Sequence, residues 1–304
     1  MKNPITCILD ACTAINLIHI DQDEYLIKKL KEIDIYISEK VFEEIRKNAY
    51  VKFERFRKEP SSRKEDIKSM KEEIDAKVSI FRAYQFYNHI IEKDYDDELI
   101  KHVQNATNYS LDNGEFRSTV LALYISRFKP SSIKPEDFYP VKLFFHTDDS
   151  PAKAEFEDYF KHQQIGYIED TVDLLILLYR IDSEFRLSTL EKYLSELFAE
   201  YAQDAKLLLS RLREIKSTAS LDLKRDKDFQ LNLGQAIIDL EKLEFKSISL
   251  NYDFFNSNKR KYSEIIKIFE MFPKIHELQT SKSNVLIKIR EIKNQVKTNE
   301  IFKL

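Results

Sequence analysis

The sequence predicts an α/β fold: a parallel sheet flanked by helices, with a helical insertion and a mainly α-helical C-terminal region. Three observations predict it. Four short apolar runs, at Ile5–Leu9, Asp34–Ser38, Val141–Thr147 and Gly166–Asp170, alternate with helical stretches, and strands that alternate with helices pair in parallel. Beyond residue 182 the strand signal fades and apolar residues recur three and four apart, the spacing of amphipathic helices. With 33% charged and 12% aromatic residues but only 3 glycines and 7 prolines, the composition suits ordered helices and not a linker.

The elements follow in order. In "ITCILDACTAINLI" the first strand reaches Asp10 and gives way to an apolar helix start. "DEYLIKKLKEI" is an amphipathic helix, "DIYIS" the second strand and "EKVFEEIRKNAYVKFERF" the next helix. From about 46 to 108 the chain is charged and helical, with a break expected at "KEPSSRKED", where Pro60 and two serines stop one helix and cap another. "LDNGEFRSTVLALYISRF" is a helix whose apolar face carries Phe116, Val120, Leu121, Leu123 and Tyr124. After "KPSSIKPEDFYP", a loop, come the strand "VKLFFHT", the helix "SPAKAEFEDYFKHQQ" and the strand "GYIED". The expected domains are 1–182, including the insertion, and 183–304, mainly helical.

Several classes are excluded. Cys7 and Cys12 match neither a zinc knuckle nor a redox CxxC pair, and the six histidines lack HxxxH or HExxH spacing. There is no phosphate-binding G-x-x-x-x-G-K-[ST] loop, and "DACT" puts Cys12 where a haloacid-dehalogenase-type phosphatase needs a second aspartate. No apolar run approaches the ~18 residues of a membrane span, and the N-terminal segment has no signal-peptide cleavage region, so a cytoplasmic protein without a membrane partner is expected. The net charge of −3 is uneven: residues 46–82 hold twelve Lys/Arg against seven Asp/Glu, hence +5. Such a field can hold a cation in one place and a polyanion beside it.

The acids at strand ends carry the chemistry. In a parallel α/β sheet, ligands bind outside the carboxyl ends of the strands. Asp10 ends the first strand, and Asp148 with Asp149 ends the third; Glu44 in "VFEEI" and Glu115 in "DNGEF" could join them. Carboxylates a few ångströms apart push one another's pKa upward. A hard divalent cation with all-oxygen ligands, Mg²⁺ or Mn²⁺, resolves that conflict, and a pair of such ions would serve phosphodiester cleavage.

The ordered set "ILDACTAINL", "IYISEKVFEEI", "LDNGEFRSTVLALYI" and "FFHTDDSPAKAEF", followed by "GYIED", resembles the PIN-domain nucleases over roughly residues 3–180. The resemblance implies a metal-dependent nuclease, a ribonuclease ahead of a DNA flap nuclease. It implies catalytic roles for Asp10, Glu44, Glu115, Asp148 and Asp149, with metal held by Asp10, Glu115 and the aspartate pair. Thr147 resembles the hydroxyl residue that precedes those acids, and Thr13 is expected to orient Asp10 or a water. The charged insertion is longer than the usual form needs, which suggests a substrate-facing arch. Arg46, Lys47, Lys52, Arg55 and Arg57, interleaved with Tyr50, Phe53 and Phe56, are the candidate nucleic-acid contacts.

Each assignment has a plainer rival. Asp10 could cap a helix, Glu43 could replace Glu44 as the ligand, and the aromatics of the insertion could face a core. Asp112 with Glu115 is close to a capping box, with Asp112 as the cap. Ser150 suits an N-cap and Pro151 a first helical residue, which leaves both aspartates surplus to capping. Which aspartate touches metal stays open. The C-terminal helices are expected to serve a homo-oligomer, an inhibitory partner or substrate selection, in a toxin or phage-defence setting. The competing class is a PIN-like nucleic-acid-binding or scaffold protein without turnover.

Overall fold

The computed structural model describes residues 5–57, 63–93, 95–127, 142–272, 281–298 and 300–301. They form two compact units, one up to Tyr193 and one from Leu194.

The first unit is α/β. Strands β1 (Ile5–Leu9), β2 (Asp34–Tyr36), β3 (Lys142–His146) and β4 (Gly166–Glu169) form one sheet in the order β2-β1-β3-β4. Every pairing is parallel, with Cys7 opposite Ile35 and Phe144, and Leu9 opposite His146. The β1 residues Cys7, Ile8 and Leu9 are wholly buried on both faces, as a central parallel strand requires.

One row crosses the sheet through Tyr36, Ile8, Phe145 and Ile168. It packs on Phe116, Val120 and Leu123 of helix α7 (Gly114–Arg127) and on Phe156 and Phe160 of helix α8 (Ser150–Gln163). Burying each such phenylalanine contributes on the order of 2 kcal/mol. Gly166 opens β4 at φ 157°, where a Cβ would lie 1.9 Å from the Leu143 carbonyl oxygen. Only glycine lets those two strands close up.

Helix α1 (Ala11–Ile20) starts at the end of β1, the short α2 (Tyr25–Lys29) comes before β2, and α3 (Glu39–Asn48) follows it. The insertion supplies α4 (Val51–Arg57), α5 (Lys64–Glu92) and α6 (Asp97–Thr107). The break expected around Pro60 falls outside the described residues. Helix α5 buries Ile74, Val78 and Phe81, and its Lys77 is 1% exposed, donating to the Ile18 carbonyl near the end of α1 at 3.0 Å. Lys77 also pairs with Glu73, one turn back on the same helix. This stretch of the insertion is therefore clamped to the fold by a cation that closes the C-terminus of α1.

The second unit is helical: the later part of Leu187–Thr218, then Leu221–Arg225, Lys227–Lys242, Phe245–Ser257, Ser263–Glu270 and Ser281–Lys297. Its core holds Phe229, Phe255 and Tyr262 in mutual ring contact. Among the described residues no helix is long and apolar enough to cross a membrane.

Candidate functional site

The order β2-β1-β3-β4 places the switch point of the sheet between β1 and β3. The first helical connections lead from β1 one way and the later one leads from β3 the other, so a crevice opens at the carboxyl ends of those two strands. Asp10 follows β1 and Thr147, Asp148 and Asp149 follow β3. The Asp10 N–H donates to the His146 carbonyl at 2.9 Å, continuing the β1–β3 ladder into the crevice.

Asp10 is 2% exposed. It occupies the N-cap position of α1 without making a side-chain cap bond, so capping does not explain it. Its Oδ2 accepts from Cys12 Sγ at 2.9 Å and from Thr147 Oγ1 at 3.0 Å. Its Oδ1 is buried and has no hydrogen-bond partner. Burial pushes the carboxyl up, and the Asp149 charge adds to the effect. A buried acceptor left unpaired costs about 1–3 kcal/mol, which marks the place where something else belongs.

Glu115, in the first turn of α7, is pushed up to about 7 by burial and then by the charges of Asp10, Glu44 and Asp149. Glu44 on α3 is raised by burial and then by Asp10, while a hydrogen bond from the Gly114 N–H at 3.1 Å opposes the shift. That bond ties α3 to the start of α7. Gly114 permits the approach: a Cβ there would stand 3.0 Å from Val41 Cγ2 and 3.1 Å from Glu44 Oε1. Glu43 is exposed and pairs with Lys40 at 3.8 Å, which separates it from the crevice.

The two adjacent aspartates part company. Asp149 is the N-cap of α8: its Oδ1 accepts from the Ala152 N–H at 3.2 Å. Its charge still acts on Asp10 and Glu115. Asp148 turns aside, accepting from Asn16 Nδ2 at 2.6 Å, from the Thr171 N–H at 2.8 Å and from the Thr171 hydroxyl. It laces β3 to α1 and to α9 (Thr171–Ile181).

The structure places the helix caps differently from expectation. Ser150 is the first helical residue and Pro151 the second, so the cap is Asp149 and the pair is not surplus to capping. Ser150 and Asp149 both suit an N-cap, and the extended backbone of Asp149 decides between them. Asp112 caps nothing: it pairs with Arg117, whose Nη2 lies 3.0 Å from its Oδ2, while Asn113 Oδ1 accepts the Phe116 N–H. The capping-box rival to Glu115 is therefore absent. Thr13 donates to the His146 carbonyl at 3.0 Å, the same carbonyl that accepts the Asp10 N–H, and so braces the end of β3. The side-chain donors to Asp10 are Cys12 and Thr147.

Of the candidate nucleic-acid contacts, Arg46 and Lys47 are exposed in the last turn of α3, and Arg57 pairs with Glu54 at 2.6 Å. The Lys52 and Arg55 side chains lie outside the described residues. Phe53 is buried and the Tyr50 hydroxyl donates to Asp75 at 2.6 Å, so both aromatics serve packing between α4 and α5.

Sequence reasoning missed Cys12, Asn16 and Thr171. Cys12 and Asn16 lie one turn apart on α1 after Asp10, and that i, i+4 spacing was the available signal. Thr171 gave none, because its partner Asp148 is 23 residues away in sequence. No protein-family model, curated protein or solved structure matches this chain.

Among the described residues no three His, Cys, Asp or Glu side chains stand in ready-made metal-holding geometry. The acids nonetheless share one field. The Asp10 charge raises both Glu44 and Glu115, Glu44 raises Glu115, and the Asp149 charge raises Asp10 and Glu115. This donor set fits a hard divalent cation, which takes oxygen ligands and offsets the mutual repulsion.

Proposed function

We propose that the chain is a metal-dependent endonuclease of the PIN type, acting on RNA ahead of DNA. One observation carries the proposal: a buried aspartate at the switch point, with one oxygen unpartnered, inside the field of three further carboxylates. Strongly perturbed acids that converge in a cleft are the signature of a functional site.

Asp10, Glu115 and Asp149 would hold Mg²⁺ or Mn²⁺, with Glu44 closing the acidic wall. Bound there, the cation would supply Lewis-acid activation of a water and neutralise charge developing on the phosphodiester. The chain's own residues do the rest. Cys12 and Thr147 hold the Asp10 carboxylate by Oδ2 and so present Oδ1. Asp149 is anchored through Oδ1 to the start of α8, and its charge reaches Asp10 and Glu115. Glu115, whose carboxyl is pushed up by burial and by the Asp10 charge, would release its proton as the cation binds. Asp148 steadies the loop through Asn16 and Thr171. Arg46 and Lys47 offer phosphate contacts on the surface of α3.

The test uses purified protein with Mn²⁺ on single-stranded RNA and single-stranded DNA, beside Asp10→Asn and Asp149→Asn. Cleavage of RNA by the parent protein, lost in both variants, is the expected result. Equal residual activity in all three would assign the cleavage to a contaminant and favour a non-catalytic scaffold acting through the helical unit.

A further inference from the structure

We propose that Cys12 is the positioning residue of this centre: its thiol fixes the Asp10 carboxylate so that Oδ1 alone faces the cation. The inference rests on the metal-site proposal and adds to it a residue of the opposite chemical character, a soft thiol that acts through hydrogen bonds on a hard-metal ligand.

The geometry is a closed chain of donors. The Asp148 N–H donates to Cys12 Sγ at 3.1 Å, and Cys12 Sγ donates to Asp10 Oδ2 at 2.9 Å. In parallel the Asp149 N–H donates to Thr147 Oγ1 at 3.1 Å, and Thr147 Oγ1 donates to Asp10 Oδ2 at 3.0 Å. Two consecutive amides of the β3 turn thus converge, through one thiol and one hydroxyl, on a single carboxylate oxygen. The sulfur and the hydroxyl are themselves 3.6 Å apart. Oδ2 is saturated by the two donors and Oδ1 has none, a division that sets the rotation of the carboxylate about its Cβ–Cγ bond.

Thr147 belongs to the β3 turn, whereas Cys12 belongs to the first turn of α1. Cys12 is therefore the side chain that couples the acid at the end of β1 to the amide of Asp148 from the helix side. Without its S–H, Oδ2 keeps the Thr147 bond but loses the donor from the helix side, and the carboxylate is held less firmly. The Asp148 amide also loses its acceptor, which loosens the turn that carries Asp149. Residues that orient metal ligands in this way are worth about 10–100-fold in metal affinity.

The experiment measures Mn²⁺ binding by the full chain, using the electron paramagnetic resonance signal of free Mn²⁺, for the parent protein and for Cys12→Ser, Cys12→Ala, Cys12→Val and Asp10→Asn. Urea melts without metal accompany each. Serine keeps a donor and an acceptor, alanine removes both at nearly serine's size, and valine fills the space without a donor. The expected result is Mn²⁺ affinity within about twofold of the parent for Cys12→Ser and about tenfold weaker for whichever of Cys12→Ala and Cys12→Val folds. Parent-like affinity in a donor-free variant, or equal weakening in Cys12→Ser and Cys12→Ala, overturns the positioning role and leaves the metal site standing. Parent protein that binds Mn²⁺ no better than Asp10→Asn overturns the metal site itself, and the positioning role with it.

Discussion

Replacing Asp10 by asparagine should stabilise the metal-free protein at alkaline pH while abolishing the proposed metal site. Raising the Glu115 carboxyl from 4.5 to about 7 corresponds to about 3 kcal/mol, at about 1.4 kcal/mol per pH unit. Burial is the largest cause and Asp10 the second, so the Asp10 charge accounts for about 1 kcal/mol at Glu115. The Asp10 charge raises Glu44 as well, again second to burial. Against this, the asparagine amide meets the unpartnered Oδ1 position at a cost of about 1 kcal/mol, while the buried Asp10 charge and its own desolvation disappear. The net expectation is a gain of about 1–2 kcal/mol at pH 8. Its pH dependence has a definite sign. Between 4.5 and about 7 the folded Glu115 keeps a proton that the unfolded chain has released, so the native state binds more protons and stability falls as pH rises. The penalty is absent below 4.5 and complete above about 7. Urea melts in EDTA at pH 5 and pH 8 read this directly: the parent should lose more stability than Asp10→Asn across the interval, and the variant's advantage should vanish by pH 5. A difference of the same size at both pH values, or a variant less stable at pH 8, would refute the mutual repulsion of these acids and with it the convergence on which the site depends.

Other perturbations test neighbouring parts of the structure. Gly114→Ala ought to raise the propensity of α7, yet its Cβ would press on Val41 and Glu44, so thermal melts should show no gain or a loss of about 1 kcal/mol. Lys77→Met removes the cation that closes the C-terminus of α1 and should cost about 2–3 kcal/mol in urea denaturation, whereas Lys68→Met, at an exposed ion pair on the same helix, should cost less than about 0.5 kcal/mol. Arg46→Gln combined with Lys47→Gln should weaken binding of single-stranded RNA in fluorescence anisotropy without metal, and lower the slope of log affinity against log salt by about 0.7 for each cation that touches phosphate; an unchanged slope removes α3 from the RNA path.

Much of the first unit was legible in advance. Short β-branched runs such as Ile5–Leu9 can only be buried strands, and parallel pairing follows once helices separate them. The acid at the end of β1 could be singled out for the same reason, since a carboxylate directly after a buried strand has no solvent to face. Caps were harder. Asp149 and Ser150, like Asp112 and Asn113, are adjacent residues of equal capping chemistry, and one residue of backbone rotation decides which side chain meets the free amides. Glu44 and Glu43 were likewise separable only once α3 had a buried side.

By itself the amino-acid order determined that strands and helices alternate up to about residue 180, that helices follow, and that acids stand at strand ends, because hydrophobic period and residue type are local properties. Only the tertiary structure decided that β1 lies beside β3, that Asp148 spends its oxygens on Asn16 and Thr171 while Asp149 acts on Asp10, and that a thiol from α1 holds the Asp10 carboxylate. Except for the thiol bond, which joins residues two positions apart, those contacts join residues at least 23 positions apart, and distances over such separations are set by how the sheet is ordered and packed, which no local pattern encodes.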